Sequence, residues 1–195
     1  LHIDSANATM GGPGEQAMAE RVATVLESIG CTVELVAGAG PGRPNLIAVL
    51  PGAPGRPTLL LESHLDTVAH PRVPIAVRRE QGRLYGRGAC DTKGSGAAMI
   101  AAMAALADHP DRPTIVFAGS ADEEVGMLGA KALVGQLPQI DAAIIGEPTS
   151  LLPIRAHNGF ARFRIVAHGR ASHTSRAYLG VNAVAAASRA VIAIQ

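Results

Sequence analysis

Short, continuous apolar runs recur along the chain and predict its strands. Runs of this kind are typical of strands that are buried on both faces of a sheet. They lie at residues 45–50, 58–61, 114–118 and 142–145. Residues 31–36 alternate between apolar and polar side chains over part of their length and predict a further strand. A hairpin is predicted around Gln81-Gly82, between residues 75–79 and 83–85.

Several of the segments between these runs have the periodicity of a helix. Apolar residues recur at helical spacing from Met18 to Ile29, and Gly30 is a suitable helix end. Residues 94–107 are rich in Ala and Gly and predict a buried helix, and residues 125–137 predict a shorter helix. The alternation of apolar strands with helices predicts an α/β fold whose central sheet is largely parallel and is flanked by helices.

The pattern of apolar and polar positions changes after Pro153. Residues 160–167 alternate apolar and charged positions, as a half-exposed strand does, and a helix is expected from about Asn182. We therefore expect two domains, one that includes residues 1–153 and a second one of which residues 154–195 are the beginning.

Composition and charge exclude several classes of partner. Of the 195 residues, 48% are apolar, which is enough for a sizeable core. A net charge of +1 without a basic block, and an aromatic content of 3% without Trp, argue against nucleic-acid binding. The longest low-charge stretch is shorter than a membrane span. Cys31 and Cys90 make no disulfide framework, so we expect a reduced, cytoplasmic setting. Because the chain begins at Leu1 and stops at Gln195 inside a predicted helix, we expect a fragment at both ends.

Imidazole and carboxylate side chains follow the ends of the apolar strands. They are His64, Asp66, Glu123, Glu124 and Glu147, and Asp91 lies between the predicted hairpin and a helix. The carboxyl ends of neighbouring parallel strands converge on one crevice, so we expect these side chains to form one site. Clustered carboxylates repel one another unless cations neutralise them. Imidazole together with carboxylate suits zinc, cobalt or manganese better than calcium or magnesium.

Each of these residues also has an ordinary structural explanation. His64 can be a structural histidine, and Asp91 can cap a helix. Glu123 and Glu124 open a predicted helix, where acidic residues interact favourably with the dipole. Glu147 can be a turn residue. Their shared position at strand ends favours a metal centre over these separate explanations.

The adjacent residues Glu123 and Glu124 indicate what the centre would do. Neighbouring side chains at a helix start point in different directions, so one can bind metal while the other stays free as a base. A metal-bound water has a pKa lowered toward neutrality. A free carboxylate can take its proton and pass it to a leaving amine. The pattern therefore predicts hydrolysis of an amide or peptide-like bond.

Four segments, in this order, resemble the motifs of the M20 metallopeptidases. They are Ser63-His64-Leu65-Asp66-Thr67-Val68, Gly86-Arg87-Gly88-Ala89-Cys90-Asp91-Thr92-Lys93-Gly94, Asp122-Glu123-Glu124-Val125-Gly126 and Gly146-Glu147-Pro148-Thr149. Within that family the chain most resembles the acetylornithine deacetylase and succinyl-diaminopimelate desuccinylase branch. The resemblance implies an N-acyl amino acid or small peptide as substrate. Carboxypeptidase, dipeptidase and N-carbamoyl amino acid hydrolase relatives share the same motifs and stay as alternatives.

The resemblance also implies a site for two zinc ions. His64 and Glu147 would bind one zinc, Glu124 would bind the second, and Asp91 would bridge the two. The family supplies a further histidine ligand for the second zinc from near its C-terminus. His157 and His168 do not stand in a matching context.

Other residues receive supporting roles from the resemblance. Asp66 would hold the His64 ring, as a carboxylate behind a ligating imidazole does, and Glu123 would be the general base. Residues 154–195 would begin an α+β lid domain through which the protein forms a homodimer. His173 in that domain would reach the partner's active site and polarise the scissile carbonyl. Without the resemblance, His173 is an exposed loop histidine.

Other classes of protein fit the sequence less well. Asp91-Thr92-Lys93-Gly94 superficially resembles an aspartyl-phosphate motif with transposed middle residues, but there is no Walker-type sequence and no Gly-x-Ser-x-Gly. A non-catalytic, dimer-forming homologue or an inactive fragment is the alternative of a different class. The presence of both Glu123 and Glu124 favours the enzyme. A possible carboxylate clamp, or simply a solvated face, is formed by Arg155, Arg162, Arg164, Arg170 and Arg176.

Overall fold

The computed structural model describes residues 1–69, 76–159, 161 and 163–194, and it divides the chain into two compact units, Leu1–Leu152 and Pro153–Gln195. The strands of the first unit are β1 (Thr32–Gly40), β2 (Arg43–Leu50), β3 (Thr58–His64), β4 (Arg78–Glu80), β5 (Arg83–Tyr85), β6 (Thr114–Ser120) and β7 (Ala142–Ile145). Its helices are α1 (Gln16–Ser28), α2 (Lys93–Leu106) and α3 (Leu128–Leu133).

The main sheet of the first unit has five strands in the order β1-β2-β6-β3-β7. β3 lies parallel to both β6 and β7, whereas β2 is antiparallel to β1 and to β6. The predicted α/β class is therefore confirmed, with a mixed sheet in place of a largely parallel one. The three parallel neighbours β6, β3 and β7 all end at the same edge, which is the edge that the predicted site requires.

The core forms on both faces of the central strands because successive side chains of a strand point to opposite faces. Leu46, Leu61 and Phe117 belong to the cluster that packs with α1 and α2. Leu60 and Val116, each next in sequence to one of these, belong to the cluster that packs with α3. Full burial of each such side chain contributes about 1.5–3 kcal/mol to folding. Burial on both faces explains why these strands are continuous apolar runs.

Two helices differ from their predictions. The outer side of α2 is exposed at Ala97, Ala98 and Ala101, so the prediction of a buried helix is wrong. Gly96 and Met103 face the sheet and are buried. Small Ala side chains tolerate either environment, which is why composition alone was a poor guide.

The third predicted helix is shorter than expected because a turn comes first. The carbonyl of Asp122 accepts hydrogen bonds from the N–H groups of Gly126 and Met127, and Met127 has a φ of 55°. Helix α3 begins only at Leu128. Glu123 and Glu124 consequently lie in a turn and do not open a helix, so the helix-dipole explanation of this acidic pair is wrong.

The hairpin predicted around Gln81-Gly82 is present between β4 and β5. These two residues have φ values of 48° and 75°, the positive values that a tight two-residue hairpin turn needs. Ile75, where the first strand was expected to start, lies outside the described residues.

The second unit contains a 3-10 helix, Thr174–Leu179, and helix α4, Ala183–Ile194. The helix predicted from about Asn182 is thus present, and the Asn182 side chain accepts a hydrogen bond from the Ala185 N–H at its start. The strand predicted over residues 160–167 is wrong for residues 161 and 163–167, which are irregular. Phe160 and Arg162 lie outside the described residues. An isolated strand is not stable without a pairing partner, and the described residues provide none for this segment.

Among the described residues, no helix has the length and apolar character needed to cross a bilayer.

Candidate metal centre

The predicted site residues other than Asp91 and His173 lie at the ends of the three parallel strands or in the loops that follow them. His64 is the last residue of β3, and Glu147 follows β7 after a single glycine, Gly146. Glu123 and Glu124 lie in the turn that follows β6. The parallel pairing of these strands therefore brings together residues that are far apart in the sequence.

The imidazole of His64 is the common member of two groups of potential ligand atoms. His64, Glu123 and Glu147 form one group, and His64, Asp91 and Glu124 form the other. Within each group the nitrogen and oxygen atoms all lie within 4.8 Å of one another. His64 Nε2 is 2.9 Å from Asp91 Oδ1 and 3.8 Å from Glu123 Oε2. The adjacent residues Glu123 and Glu124 thus belong to different groups.

The orientation of the His64 ring is fixed by Asp66. His64 is 2% exposed, and its Nδ1 lies 2.9 Å from the Asp66 backbone oxygen and 3.4 Å from Asp66 Oδ1. Because a carbonyl oxygen only accepts hydrogen bonds, Nδ1 donates this one. In the neutral ring, Nε2 then has a free lone pair, and this atom points toward Asp91 and Glu123.

Asp91 lies two residues before the start of α2 and does not occupy its N-cap position, which belongs to Thr92. The Asp91 carboxylate instead accepts a hydrogen bond from His64 Nε2. Because the pKa of His64 is raised, its ring carries a proton on both nitrogens at neutral pH when no metal is bound. The explanation of Asp91 as a helix cap is therefore wrong. The Thr92 hydroxyl is held in place by the buried Ser63 hydroxyl, 2.7 Å away on β3.

The site is electrostatically unbalanced without a cation. Burial lowers the pKa of His64, but hydrogen bonds to Asp66 and Asp91, together with attraction from Asp66 and Glu123, outweigh it and raise that pKa to about 10. Burial, together with repulsion from neighbouring carboxylates, raises the pKa of Glu147 to about 7. The pKa values of Glu123 and Glu124 are raised for the same two reasons.

The donor set fits divalent metal ions. One imidazole and several carboxylates converge in two groups that share His64, and the carboxyl pKa values are raised by burial and by mutual repulsion, which a cation would offset. Imidazole nitrogen with carboxylate oxygen is a donor combination that zinc accepts.

The second unit contains the last predicted site residue, His173. This residue is exposed, and its Nδ1 lies 2.8 Å from the Ser175 hydroxyl and accepts a hydrogen bond from the Ser175 N–H. Arg164 and Arg176, two of the arginines considered for a carboxylate clamp, are exposed as well. Arg162 lies outside the described residues.

Behind the centre lies a layer of buried and half-buried polar residues that the sequence did not indicate. Its members are Asn7, Glu15, Arg43, Glu62 and Asp122. Asn7 and Glu15 are 0% exposed and Asp122 is 2% exposed. Glu62 accepts a 2.6 Å hydrogen bond from Ser120, and burial raises its pKa. Apart from the position of Asp122 before two acidic residues, no periodicity or spacing singles out this layer.

Fold and site together define an α/β domain with a carboxylate and imidazole centre at the carboxyl edge of its sheet. A model of peptidase family M20/M25/M40 matches residues 60–194, and the chain belongs to this family.

Individual relatives agree with this assignment. The acetylornithine deacetylase of Myxococcus xanthus is 38% identical over 84% of this chain and 45% of its own length. The acetylornithine deacetylase of Vibrio cholerae is 36% identical over 93% of this chain and 49% of its own length. The chain thus spans about half the length of these curated relatives. In fold it is similar to a tripeptidase from Staphylococcus aureus, with a TM-score of 0.66, 21% identity, and coverage of 97% of this chain and 52% of that one.

Proposed function

We propose that the protein is a zinc-dependent hydrolase that cleaves the amide bond of an N-acyl amino acid or small peptide. The observation that carries this proposal is the pair of ligand groups that share His64 at the carboxyl edge of the sheet. Similarity to relatives named acetylornithine deacetylase supports an N-acyl amino acid as the substrate class.

Four residues would hold two zinc ions. His64 and Glu147 would bind the first, Glu124 would bind the second, and Asp91 would bridge them. The short distance between His64 Nε2 and Asp91 Oδ1, 2.9 Å, supports a shared position, because a cation would replace the proton that now lies between these atoms. When bound, the ions would polarise the scissile carbonyl and lower the pKa of a water molecule.

Glu123 is proposed to be the general base. Its carboxylate is 29% exposed and lies 3.8 Å from His64 Nε2, so it faces the centre and is open to solvent. A raised pKa, caused by burial and by neighbouring carboxylates, brings this group closer to the pH at which it must both accept and release a proton. Glu123 would take a proton from the attacking water and give it to the leaving amine.

Residues 1–153 would form the N-terminal part of the catalytic domain, and residues 154–195 would begin a lid domain that also forms a homodimer. His173 would act from this second domain by polarising the scissile carbonyl in the partner's active site. Its exposed ring, with Nδ1 held by Ser175, leaves Nε2 available for this role.

A hydrolysis screen with added Zn²⁺ tests the proposal. N-acetyl-ornithine, N-succinyl-diaminopimelate, N-carbamoyl amino acids and dipeptides are compared, with release of the free amine as the readout. We expect an N-acyl amino acid to be the best substrate, and expect chelation to abolish turnover reversibly. Equal inactivity toward all substrates, in a protein that holds zinc, would contradict the proposal and favour a non-catalytic homologue.

A further inference from the structure

The turn that presents the two adjacent glutamates, residues 122–124, is fixed by carboxylates from other segments. Three consecutive backbone N–H groups donate to them. The Asp122 N–H donates to Glu15 Oε1 at 3.1 Å. The Glu123 and Glu124 N–H groups donate to Asp66 Oδ1 and Oδ2, at 3.1 and 3.2 Å. The position of this glutamate turn therefore depends on where Glu15 and Asp66 are held.

Arg43 holds Glu15 from β2. Its Nε and Nη2 atoms donate to the two Glu15 carboxylate oxygens, at 2.9 and 2.7 Å. The same Nη2 donates to Asp122 Oδ1 at 2.9 Å. Glu15 is fully buried, and 12% of the Arg43 side chain is exposed. A bidentate ion pair of this kind has little freedom to shift. Arg43 thus fixes both the side chain of Asp122 and the acceptor of its backbone N–H.

Asn7 links the glutamate turn to the residue that orients His64. Its amide Nδ2 donates to Asp66 Oδ2 at 2.7 Å and to Asp122 Oδ1 at 3.1 Å. The backbone N–H of Asn7 donates to the carbonyl of Thr67 at 2.9 Å, which ties this segment to the end of β3. One buried side chain therefore connects the loop after β3 with the turn after β6.

We propose that Asn7 and Arg43 are positioning residues that set the glutamate turn at the correct distance from His64 for metal binding. This inference rests on the proposed function and adds two residues that touch neither metal nor substrate. Metal ligands must be held within about 0.5 Å of their productive geometry, so partners behind the ligands control affinity. Arg43 acts through Glu15 and Asp122, and Asn7 acts through Asp66 and Asp122.

Two conservative variants, Asn7→Ser and Arg43→Lys, test the proposal. Serine is too short to join Asp66 and Asp122, and the single ammonium of lysine cannot meet both oxygens of Glu15 together with Asp122. The affinity for Zn²⁺ is measured by competition with a chromogenic chelator, and the unfolding midpoint is measured on the metal-free protein. We expect each variant to bind Zn²⁺ about 10–100-fold more weakly.

The matched control is Leu26→Ala, which opens a cavity at a fully buried position of α1 in the core. Leu26→Ala is expected to lower the unfolding midpoint while changing Zn²⁺ affinity by less than about twofold, because it removes packing but no contact to the glutamate turn. A merely structural role of Asn7 and Arg43 would give the same pattern as this control. Asn7→Ser keeps the buried charges of Arg43 and Glu15 paired, so it is expected to fold even if Arg43→Lys does not.

The outcomes separate the two proposals. If the wild-type protein binds Zn²⁺ and both folded variants match Leu26→Ala in affinity, the positioning role is wrong while the metal site stands. If the wild-type protein itself binds no Zn²⁺, the proposed function is contradicted. A weaker affinity in Asn7→Ser at a midpoint equal to that of the control supports the positioning role.

Discussion

At the scale of single residues, the adjacent pair Glu123 and Glu124 shows how one turn can present carboxylates to two groups of potential ligands. Both backbone N–H groups are bound by Asp66, so the two side chains leave one fixed backbone in different directions. Glu123 belongs to the ligand group that contains Glu147, and Glu124 belongs to the group that contains Asp91. A turn, with its changing backbone direction, separates the two carboxylates.

The substitution Glu123→Gln is expected to separate catalysis from metal binding. Glutamine keeps the size of the side chain but cannot accept a proton, so turnover should fall by about 10²–10⁴-fold. Zinc content, measured by atomic emission, should stay at the wild-type level. Asp91→Asn is the comparison, since loss of the proposed bridging carboxylate should lower zinc content. Substantial turnover in Glu123→Gln would show that another group is the base.

Proton release should accompany zinc binding, and its amount should depend on pH. His64 has a pKa of about 10 in the metal-free protein, so at pH 8 its ring must lose about one proton when zinc binds. Below pH 7 Glu147, with a pKa of about 7, carries a proton as well, so more protons are released and affinity falls. Calorimetry in buffers of different ionisation enthalpy measures this number.

Glu147→Gln provides the control for the pH experiment, because it removes the second proton and should make proton release nearly constant between pH 6 and 8. A proton count that stays near zero throughout would contradict the raised pKa of His64.

The raised pKa of His64 also affects the stability of the metal-free protein. A His64 pKa raised from 6.5 to about 10 stabilises the metal-free fold fully below pH 6.5, and this stabilisation is lost as pH rises through about 10.

At the scale of elements, the end of β6 is clamped to α3. Asn45 on β2 accepts a hydrogen bond from the Ala121 N–H at 2.9 Å and donates one to the Gly129 carbonyl at 2.9 Å. The Gly129 N–H in turn donates to the Ala121 carbonyl. Helix α3 thus packs directly on the residues that lead into the glutamate turn.

Gly129→Ala is expected to be destabilising even though alanine is the better helix former. A Cβ at this position would overlap the backbone of Ala121 and lie 2.5 Å from Asn45 Oδ1. Such overpacking costs about 1–3 kcal/mol of unfolding free energy, measurable by urea denaturation. The control is Gly135→Ala, where the nearest atom to a Cβ is the Ala132 carbonyl oxygen at 3.9 Å. Equal stability of the two variants would mean that α3 is free to move away from the sheet.

At the scale of the whole molecule, metal binding and folding should be coupled. The proposed ligands come from segments separated in sequence, so the unfolded chain has no comparable site and we expect zinc to bind the folded state selectively. At a free zinc concentration of 100 times Kd, the stabilisation is about 2.7 kcal/mol. Differential scanning calorimetry should therefore show a higher Tm with zinc and a return to the metal-free value with chelator. Glu124→Gln should reduce this increase, and an unchanged Tm in the wild-type protein would contradict the coupling.

Much of this organisation could be predicted from local sequence. The strands β2, β3 and β6 were predictable because they are largely buried on both faces and form continuous apolar runs. β7 was predicted from the same kind of apolar run, but its residues are exposed in the described structure. Family membership followed from four short motifs, and the match over residues 60–194 confirms it.

Predictions of secondary structure failed where the conformation of a segment depends on its hydrogen-bonding partners. The turn before α3 exists because the Asp122 carbonyl accepts two N–H groups of its own loop, which periodicity does not reveal. Residues 163–167 alternate like a strand but have no pairing partner among the described residues. In both cases hydrogen bonding decided a conformation that apolar patterning left undetermined.

By itself, the sequence determined the class of fold and which strand ends bear imidazole and carboxylate side chains, because these features follow from local patterns of burial and residue type. Only the tertiary structure decided that His64 is shared between two ligand groups, since this depends on the parallel order of β6, β3 and β7. The structure alone also brought Asn7 and Arg43 behind the glutamate turn. Asn7 lies more than a hundred residues from Asp122 in the sequence, and Arg43 lies nearly eighty residues from it. Contacts between residues so far apart in the sequence produce no periodic pattern that could predict them.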